Sequence, residues 1–277
     1  MKVDKSIMIG WMLAAAACGF AQTADIETLR RGVNFIETKP RSESADAEIL
    51  KLFQGLRVAD VSDGMDRAGL PGTGLVDPSI LPLWKDLDGF THRICGIALT
   101  VRYVPAQIPA LPEKLDGFTA WEGGWYNGLS SETWTQILRP GAVVVIDDAE
   151  DLDVGTIGSF NILAWFKAGA LGVVTDAGAR DTDEISREKV PLYLNRRSRG
   201  IRPGRNVLES VNRPVDIGGV LVCPGDVVVA DGDGVVVVPR AAAKDVAAHA
   251  RGILDGDKAG RKALYKSMGL PLDKTVE

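Results

Sequence analysis

The stretch Gly169-Ala-Leu-Gly-Val-Val-Thr-Asp-Ala-Gly-Ala-Arg-Asp-Thr-Asp-Glu184 decides how this chain is read. Leu171 to Val174 is an apolar run of strand length, and a small-residue turn follows it. Arg180, Asp181, Asp183 and Glu184 emerge from that turn. A buried strand that ends in a fixed cation and several carboxylates reads as an active-site edge. Arg180 can hold a carboxylate or an enolate in a bidentate fork. Asp181 can hold a hard divalent metal ion beside it.

Upstream, Pro140-Gly141 turns into the apolar run Ala142 to Ile146, which reads as a buried strand. Gly158-Ser-Phe-Asn161 starts a helix that runs to Lys167 and ends at Gly169. The expected unit is strand 142–146, helix 159–168 and strand 171–175. It is short for a dinucleotide-binding unit and no GxGxxG opens its helix, which excludes a dinucleotide site. The first N–H groups of a helix have no intrahelical partners and sit at its positive end, so they bind anions without a charged side chain. Gly158 allows close approach to the backbone, and Ser159 and Asn161 add a hydroxyl and an amide. The second strand runs back beside the helix and places Thr175-Asp176 and Arg180-Asp181 near that helix start.

Such a pocket suits a small 2-oxo acid. Its carboxylate would sit on backbone N–H groups and Arg180, and its keto oxygen would share a metal ion with Asp181. Cleaving the bond beyond C3 leaves a pyruvate enolate, whose charge Arg180 and the metal stabilise as it develops. One preorganised donor of this kind contributes roughly 3–4 kcal/mol.

The remainder reads as one domain over residues 25–254. Residues 25–57 read as helical. Asp60 to Gly69 reads as a short helix capped by Ser62 or Asp63, and Ile94 to Val104 as a strand. Prolines 105, 109 and 112 precede Trp121, Trp125, Tyr126 and Trp134; Trp121, Trp125 and Leu129 have helical spacing and read as a core-packing stripe, with a substrate wall as the alternative. The acidic run Asp147, Asp148, Glu150, Asp151, Asp153 lacks EF-hand spacing and reads as a solvated loop. Val215 to Cys223 reads as β, with Pro224-Gly225 as a turn. Asp226 to Ala230 and Val235 to Val238 flank Asp231-Gly-Asp-Gly234, a hairpin signal. A helix with Ala242, Val246 and Ala250 closes the domain, and the polar tail 255–277 reads as partly loose.

Composition bounds the function classes. The chain has 277 residues, 45% hydrophobic and 25% charged, which is ordinary for a globular protein. The net charge of −5 and the lack of a long basic block give no electrostatic case for nucleic acid. The cluster Arg196, Arg197, Arg199, Arg202 and Arg205 reads as a solvated loop, with an anion or subunit contact as the alternative. Cys95 and Cys223 form no zinc framework, and His92 and His249 are the only histidines. A metal must therefore rest on carboxylates and water, which favours Mg2+, Mn2+ or Ca2+ over zinc. Residues 1–21 read as a secretory signal peptide: Lys2 and Lys5, the apolar stretch Ile7 to Ala17, then small Gly19 and Ala21 at a cleavage site. The alternatives are a hydrophobic N-terminal helix in a cytoplasmic protein, or lipidation at Cys18 after Ala15-Ala16-Ala17. The main reading implies a periplasmic or secreted protein with no membrane segment once the signal is removed.

Three ordered motifs carry a family resemblance over about residues 50–250. They are Val61-Ser-Asp-Gly-Met-Asp-Arg67, the Gly169–Glu184 stretch, and Gly218-Gly-Val with Pro224-Gly-Asp226 and Asp231-Gly-Asp-Gly-Val-Val-Val-Val-Pro239. With them the chain resembles the RraA-like family: regulator of ribonuclease activity A and the class II aldolases that act on 4-hydroxy-4-methyl-2-oxoglutarate. The resemblance implies an α/β fold, a three-layer ββα sandwich, assembled as a homotrimer. It implies a substrate loop at Gly158, Ser159, Phe160 and Asn161, a substrate and catalytic arginine at Arg180, and a metal ligand at Asp181. It implies a Mg2+- or Mn2+-dependent carbon–carbon lyase, with oxaloacetate decarboxylation by the same enolate chemistry. The aldolases carry an acidic residue just after the loop glycine; here Ser159 stands there. That departure, the tryptophan-rich insert and the signal peptide keep two alternatives open: a non-catalytic binding protein of the same fold, and a metal enzyme acting on a different carboxylic acid.

Overall fold

The computed structural model describes residues 25–107, 111–112, 114–148 and 152–277. The signal-peptide reading of residues 1–21 lies outside the described residues, as does part of the acidic run. The chain divides into two units, Met1–Glu37 and Thr38–Glu277. In the first, α1 (Ile26–Arg31) starts at Asp25, whose carboxylate accepts from the Thr28 N–H at 3.0 Å. The helix expected over 25–57 is therefore interrupted: α1 ends at Gly32 (φ 84°), and the next helix, α2 (Glu43–Phe53), opens the second unit behind the Ser42 cap.

The second unit continues with α3 (Val58–Arg67), β1 (Leu81–Pro82), β2 (Ile94–Pro105), β3 (Ala142–Asp147) and β4 (Gly155–Ile157). Helix α4 (Phe118–Gly124) lies between β2 and β3, and β4 is followed by α5 (Ser159–Lys167), β5 (Ala170–Thr175), β6 (Gly178–Ala179) and α6 (Thr182–Glu188). Strands β7 (Leu192–Leu194), β8 (Arg196–Arg197), β9 (Asn206–Val211), β10 (Val215–Ile217), β11 (Val220–Val222), β12 (Val227–Asp231) and β13 (Gly234–Val238) lead to α7 (Ala243–Ser267).

The main sheet has the order β1-β7-β5-β3-β2-β12-β13, with β9 pairing the far half of β2. Its centre, β7, β5, β3 and β2, is parallel, and β1, β9, β12 and β13 pair antiparallel. The expected strand–helix–strand unit is β3, α5 and β5. Valine runs form these central strands because both faces are covered, which favours continuous β-branched sequence over alternation. Val143 and Val145 join a cluster with Val174, Val228, Val237 and the β10–β11 residues Val215, Ile217 and Val222. Val144 and Ile146 point the other way and pack with Ile162, Trp165 and Ile185 of α5 and α6. On that same side, Ile97 and Val229 pack with Val61, Val246 and Ala250 of α3 and α7. A hairpin layer, a sheet and a helix layer make the expected ββα sandwich. Burying one Ile or Leu side chain in such a core contributes about 1.5–3 kcal/mol.

Several local expectations change. Helix α3 begins two residues before the expected Asp60: Asp60 is its third residue and accepts from the Arg57 N–H at 3.0 Å, so Ser62 and Asp63 lie inside it rather than at its cap. Gly69, at φ 82°, follows its end as expected. The Val215–Cys223 run is β as read, and it folds back on itself at Gly218-Gly219 into a short hairpin. The tail expected to be partly loose is helical to Ser267, the end of the 25-residue α7. The Asp231–Gly234 hairpin forms as read, with Asp231 Oδ1 accepting from the Asp233 N–H at 2.9 Å. No described helix is long and apolar enough to cross a membrane.

Candidate functional site

Three very short parallel strands, in the order β4-β6-β8, assemble the site beyond the ends of the main sheet. Gly155 pairs with Gly178 and Ile157 with Ala179, so the residues that follow each strand come out side by side. Those residues are Gly158, at the start of α5, and Arg180-Asp181. The Arg180 N–H donates to the Ile157 carbonyl at 2.9 Å. The loop and the Arg-Asp pair, 22 residues apart in sequence, are thus brought side by side.

Gly158 precedes α5 in extended conformation, and its N–H donates to Asn161 Oδ1 at 2.7 Å. A Cβ on Gly158 would lie 2.9 Å from Asp181 Oδ2, so glycine is what lets that carboxylate reach the helix start. Asp181 Oδ2 accepts from the Ser159 N–H at 3.2 Å and from the Ser159 hydroxyl at 3.4 Å. Arg180 Nε lies 4.0 Å from the same oxygen. Among the described residues nothing accepts from the N–H groups of Phe160 and Asn161, which leaves two backbone donors at the positive end of α5 open to an anion. Asp181 adopts φ 56°, the left-handed region that a non-glycine residue rarely occupies, and such positions concentrate at functional sites.

Beneath this surface lies a buried polar layer that the motifs did not reveal. Glu132 Oε1 accepts from Asn161 Nδ2 at 3.1 Å and from Arg202, and its Oε2 accepts from Trp165 Nε1 at 2.8 Å. Arg202 is buried, not part of a solvated arginine loop; its Nε donates to the Thr156 carbonyl and its Nη1 to the Ser130 carbonyl, each at 3.0 Å. Asp148 is buried too, which corrects the solvated reading of its end of the acidic run. It accepts from Asn206 Nδ2 at 2.9 Å and from the Thr156 hydroxyl. Asp176 is buried, and its Oδ1 faces the Asp148 N–H at 3.4 Å.

The aromatic segment departs from a simple stripe. Trp125 is buried and donates to the Asn206 carbonyl at 2.9 Å, whereas Leu129 is exposed. Residues Trp125–Leu129 form a π-helical turn, which breaks the spacing read from sequence. That turn sets the Tyr126 ring 5.7 Å from the Arg202 guanidinium. Burial raises the Tyr126 phenol above its ordinary range, while the charges of Arg180 and Arg202 pull it back. It therefore offers the site a neutral hydroxyl.

The donor chemistry that Asp181 presents is hard oxygen, the kind a divalent ion such as magnesium takes. Among the described residues no group of three or more His, Cys, Asp or Glu side chains is placed to hold a metal. Asp181 alone offers a half-exposed carboxylate, and magnesium is commonly held by one or two carboxylates while keeping several waters. The thiols and imidazoles that zinc prefers are elsewhere: His92 is buried and accepts from the Asp86 N–H at 3.1 Å, and Cys95 is a free thiol pushed up to about 12 by burial.

Comparison with known proteins agrees with this architecture. Protein DlpA of Legionella pneumophila subsp. pneumophila is 28% identical over 186 residues, 66% of this chain and 26% of that protein. A protein of Halalkalibacterium halodurans named "Putative 4-hydroxy-4-methyl-2-oxoglutarate aldolase" is 30% identical over 126 residues, 45% of this chain and 59% of that protein. The matched segment thus spans less than two thirds of either relative. Among solved structures, an uncharacterized protein from Pseudomonas syringae pv. tomato str. DC3000 has a TM-score of 0.62 at 27% identity, covering 86% of this chain and all of that one. Streptomyces coelicolor RraAS2, described as an unusual member of the RNase ES inhibitor RraA protein family, shares the fold with a TM-score of 0.64 at 22% identity, covering 79% of this chain and 98% of its own. The family model described as "RraA-like: Aldolase/RraA" matches residues 58–237, more than half of the chain and all of the site from Glu132 to Arg202, and this chain belongs to the RraA-like family.

Proposed function

We propose that this protein is a divalent-metal-dependent lyase that cleaves a small 2-oxo acid through a pyruvate enolate. The observation that carries the reading is the pairing of two open N–H groups, on Phe160 and Asn161, with Arg180 and Asp181 across the β4–β6 junction. The substrate carboxylate binds at the helix start, where the backbone supplies positive charge. A metal ion held by Asp181 would act as a Lewis acid on the keto oxygen. Arg180 faces the charge that develops when the C3–C4 bond breaks, and its fixed fork is suited to a planar enolate. The electron pair of the broken bond becomes the enolate, and a proton delivered to C3 completes pyruvate.

Two reactions share that enolate: aldol cleavage of 4-hydroxy-4-methyl-2-oxoglutarate and decarboxylation of oxaloacetate. Aldol cleavage also needs a base for the 4-hydroxyl. Ser159 supplies no carboxylate there; its hydroxyl instead supports Asp181. Glu132 is engaged by Arg202, Asn161 and Trp165. Decarboxylation needs no such base, so we expect it to be the faster of the two. The assay is pyruvate release from each compound with Mg2+ or Mn2+. Failure of both at micromolar enzyme would remove the lyase reading and favour a non-catalytic binding protein of this family.

We extend the proposal to assembly and location. Phe160, Leu163 and Phe166 recur at helical spacing on α5, and all three are exposed, Phe160 at 88%. An apolar stripe beside the site supports a homotrimer in which a second copy covers it, which sedimentation would test. The N-terminal segment supports export to the periplasm or beyond, with a mature chain beginning at Gln22; mass spectrometry of the expressed protein checks this.

A further inference from the structure

The binding loop is gripped from below by a half-buried ion pair whose two halves come from segments outside the three motifs. Glu132 lies within the tryptophan-rich insert, between Trp125 and Trp134, and Arg202 lies in the arginine-rich stretch. Their side chains are in direct contact, with Arg202 only 3% exposed. Every nitrogen of the Arg202 guanidinium is used: Nε on Thr156, Nη1 on Ser130, Nη2 on Glu132. Burying a guanidinium is costly unless it is paired and hydrogen-bonded, and here each of its nitrogens has a partner while Glu132 keeps 29% exposure.

The Glu132 carboxylate then reaches α5 at two points one turn apart, Asn161 and Trp165. The Asn161 amide is thereby oriented. Its Nδ2 faces Glu132 and the Thr156 carbonyl, so its Oδ1 faces the Gly158 N–H at 2.7 Å. That last bond sets the start of α5. We propose that Glu132 and Arg202 are positioning residues that hold the α5 N-terminus in its anion-binding form, acting through Asn161. Neither touches the substrate. The idea rests on the lyase reading for its effect on turnover, but its effect on the loop stands apart from that reading.

The test uses Glu132→Gln, which keeps shape and removes charge, and Asn161→Ala, which removes the link while leaving the ion pair intact. Two readouts are taken in the full chain. The first is hydrogen exchange of the amides over residues 158–162, which needs no activity. The second is binding of oxalate, a planar dianion resembling the enolate, with magnesium present, together with KM and kcat on oxaloacetate. We expect faster exchange confined to the loop in both variants. A displacement of the loop by less than about 1 Å is enough to weaken oxalate binding and raise KM about tenfold, with kcat changed less. The double variant should be no worse than either single variant, because both break one chain of contacts. Unchanged exchange at 158–162, or losses that multiply in the double variant, would overturn the proposal. Wild-type protein that releases no pyruvate would overturn the lyase reading instead, and the exchange result would still decide the role of Glu132.

Discussion

Gly155 offers a way to move Arg180 without touching it. A Cβ built on Gly155 would stand 2.9, 3.0 and 3.2 Å from Cβ, Cγ and Cδ of Arg180. Carbon atoms pack at about 3.5–4.0 Å, so the arginine stem must retreat by roughly 0.5–1 Å. Neither backbone can yield easily: the Gly155 N–H is bonded to the Gly200 carbonyl at 2.9 Å, and the Arg180 N–H to Ile157 at 2.9 Å. Gly155 does not have a positive φ, so alanine fits its backbone, and the entropy of the unfolded chain favours the change by about 0.4–1 kcal/mol. Rotation can carry Cγ and Cδ of the 36% exposed Arg180 side chain outward, but its Cβ moves only with the backbone, so strain outweighs the entropy gain and Gly155→Ala should cost about 1–3 kcal/mol of stability. Activity should not be spared. Misplacing a catalytic group by about 1 Å costs up to 100-fold, so Gly155→Ala should lose roughly 10- to 100-fold in kcat/KM, or about 1.4–2.7 kcal/mol of transition-state stabilisation. The assay is pyruvate release from oxaloacetate coupled to lactate dehydrogenase, with a thermal melt as control. A variant that is folded at the assay temperature with kcat/KM within twofold of wild type would refute the claim that the position of this guanidinium matters.

Two further outcomes follow from the same geometry. Arg180→Lys keeps the charge and loses the fork, so kcat/KM should fall by about 100-fold or more with an unchanged melting temperature, as steady-state kinetics and calorimetry would show. Asp147 is raised to about 6 by burial, with Arg102 at 3.2 Å opposing the shift. Its folded form holds a proton that the unfolded form releases near 3.8, so this group's contribution to stability is present below that value and is lost as pH rises toward 6. At about 1.36 kcal/mol per pH unit the difference is at most roughly 3 kcal/mol, and Asp147→Asn should flatten urea-unfolding stability between pH 4 and 6.5. A slope in the variant equal to wild type would contradict this.

What the sequence discloses about the fold follows from where its signals agree. In β3, α5 and β5, β-branched runs, a glycine stop and a two-residue turn all point to one unit, and the unit forms. The clamp that closes the site does not show in periodicity, because β4, β6 and β8 are only two or three residues long. The site divides the same way. Arg180, Asp181 and the α5 start are legible because they follow strands and glycines that place them. Glu132 and Arg202 lie 70 residues apart in irregular segments, and Arg202 is one of five neighbouring arginines with the same chemistry. Only burial distinguishes it. Asp148 was hidden in the same manner, inside an acidic run whose composition pointed to solvent. A polar residue that will be buried and satisfied looks, in sequence, like one that will be solvated. The end of α7 misled for a related reason: none of its residues beyond Leu254 is buried, and polar bonds such as Arg57 Nη2 to Asp257 and Arg261 Nη2 to Thr275 tie it down.

Ser159 first reads as a lost acid, and the structure gives it another consequence. Its N–H and hydroxyl both face Asp181 Oδ2, so the protein's own carboxylate already sits on the positive end of α5. A substrate anion arriving at Phe160 and Asn161 must share that end with a negative neighbour. Two anions at one helix terminus repel, and the macrodipole interaction with each is only about 0.3–1 kcal/mol when exposed. A divalent cation on Asp181 offsets this repulsion. Oxalate should therefore bind weakly without metal and at least tenfold more tightly with saturating Mg2+, and by linkage oxalate should tighten Mg2+ binding by the same factor. Asp181→Asn removes both the repulsion and the metal ligand. In that variant oxalate affinity should exceed the metal-free wild-type value and should no longer respond to Mg2+. Isothermal titration calorimetry measures all four arms of the cycle. Equal oxalate affinity in the presence and absence of Mg2+ for the wild-type protein would mean that Asp181 does not control the charge at the helix start, and the assignment of the metal to that carboxylate would fall with it.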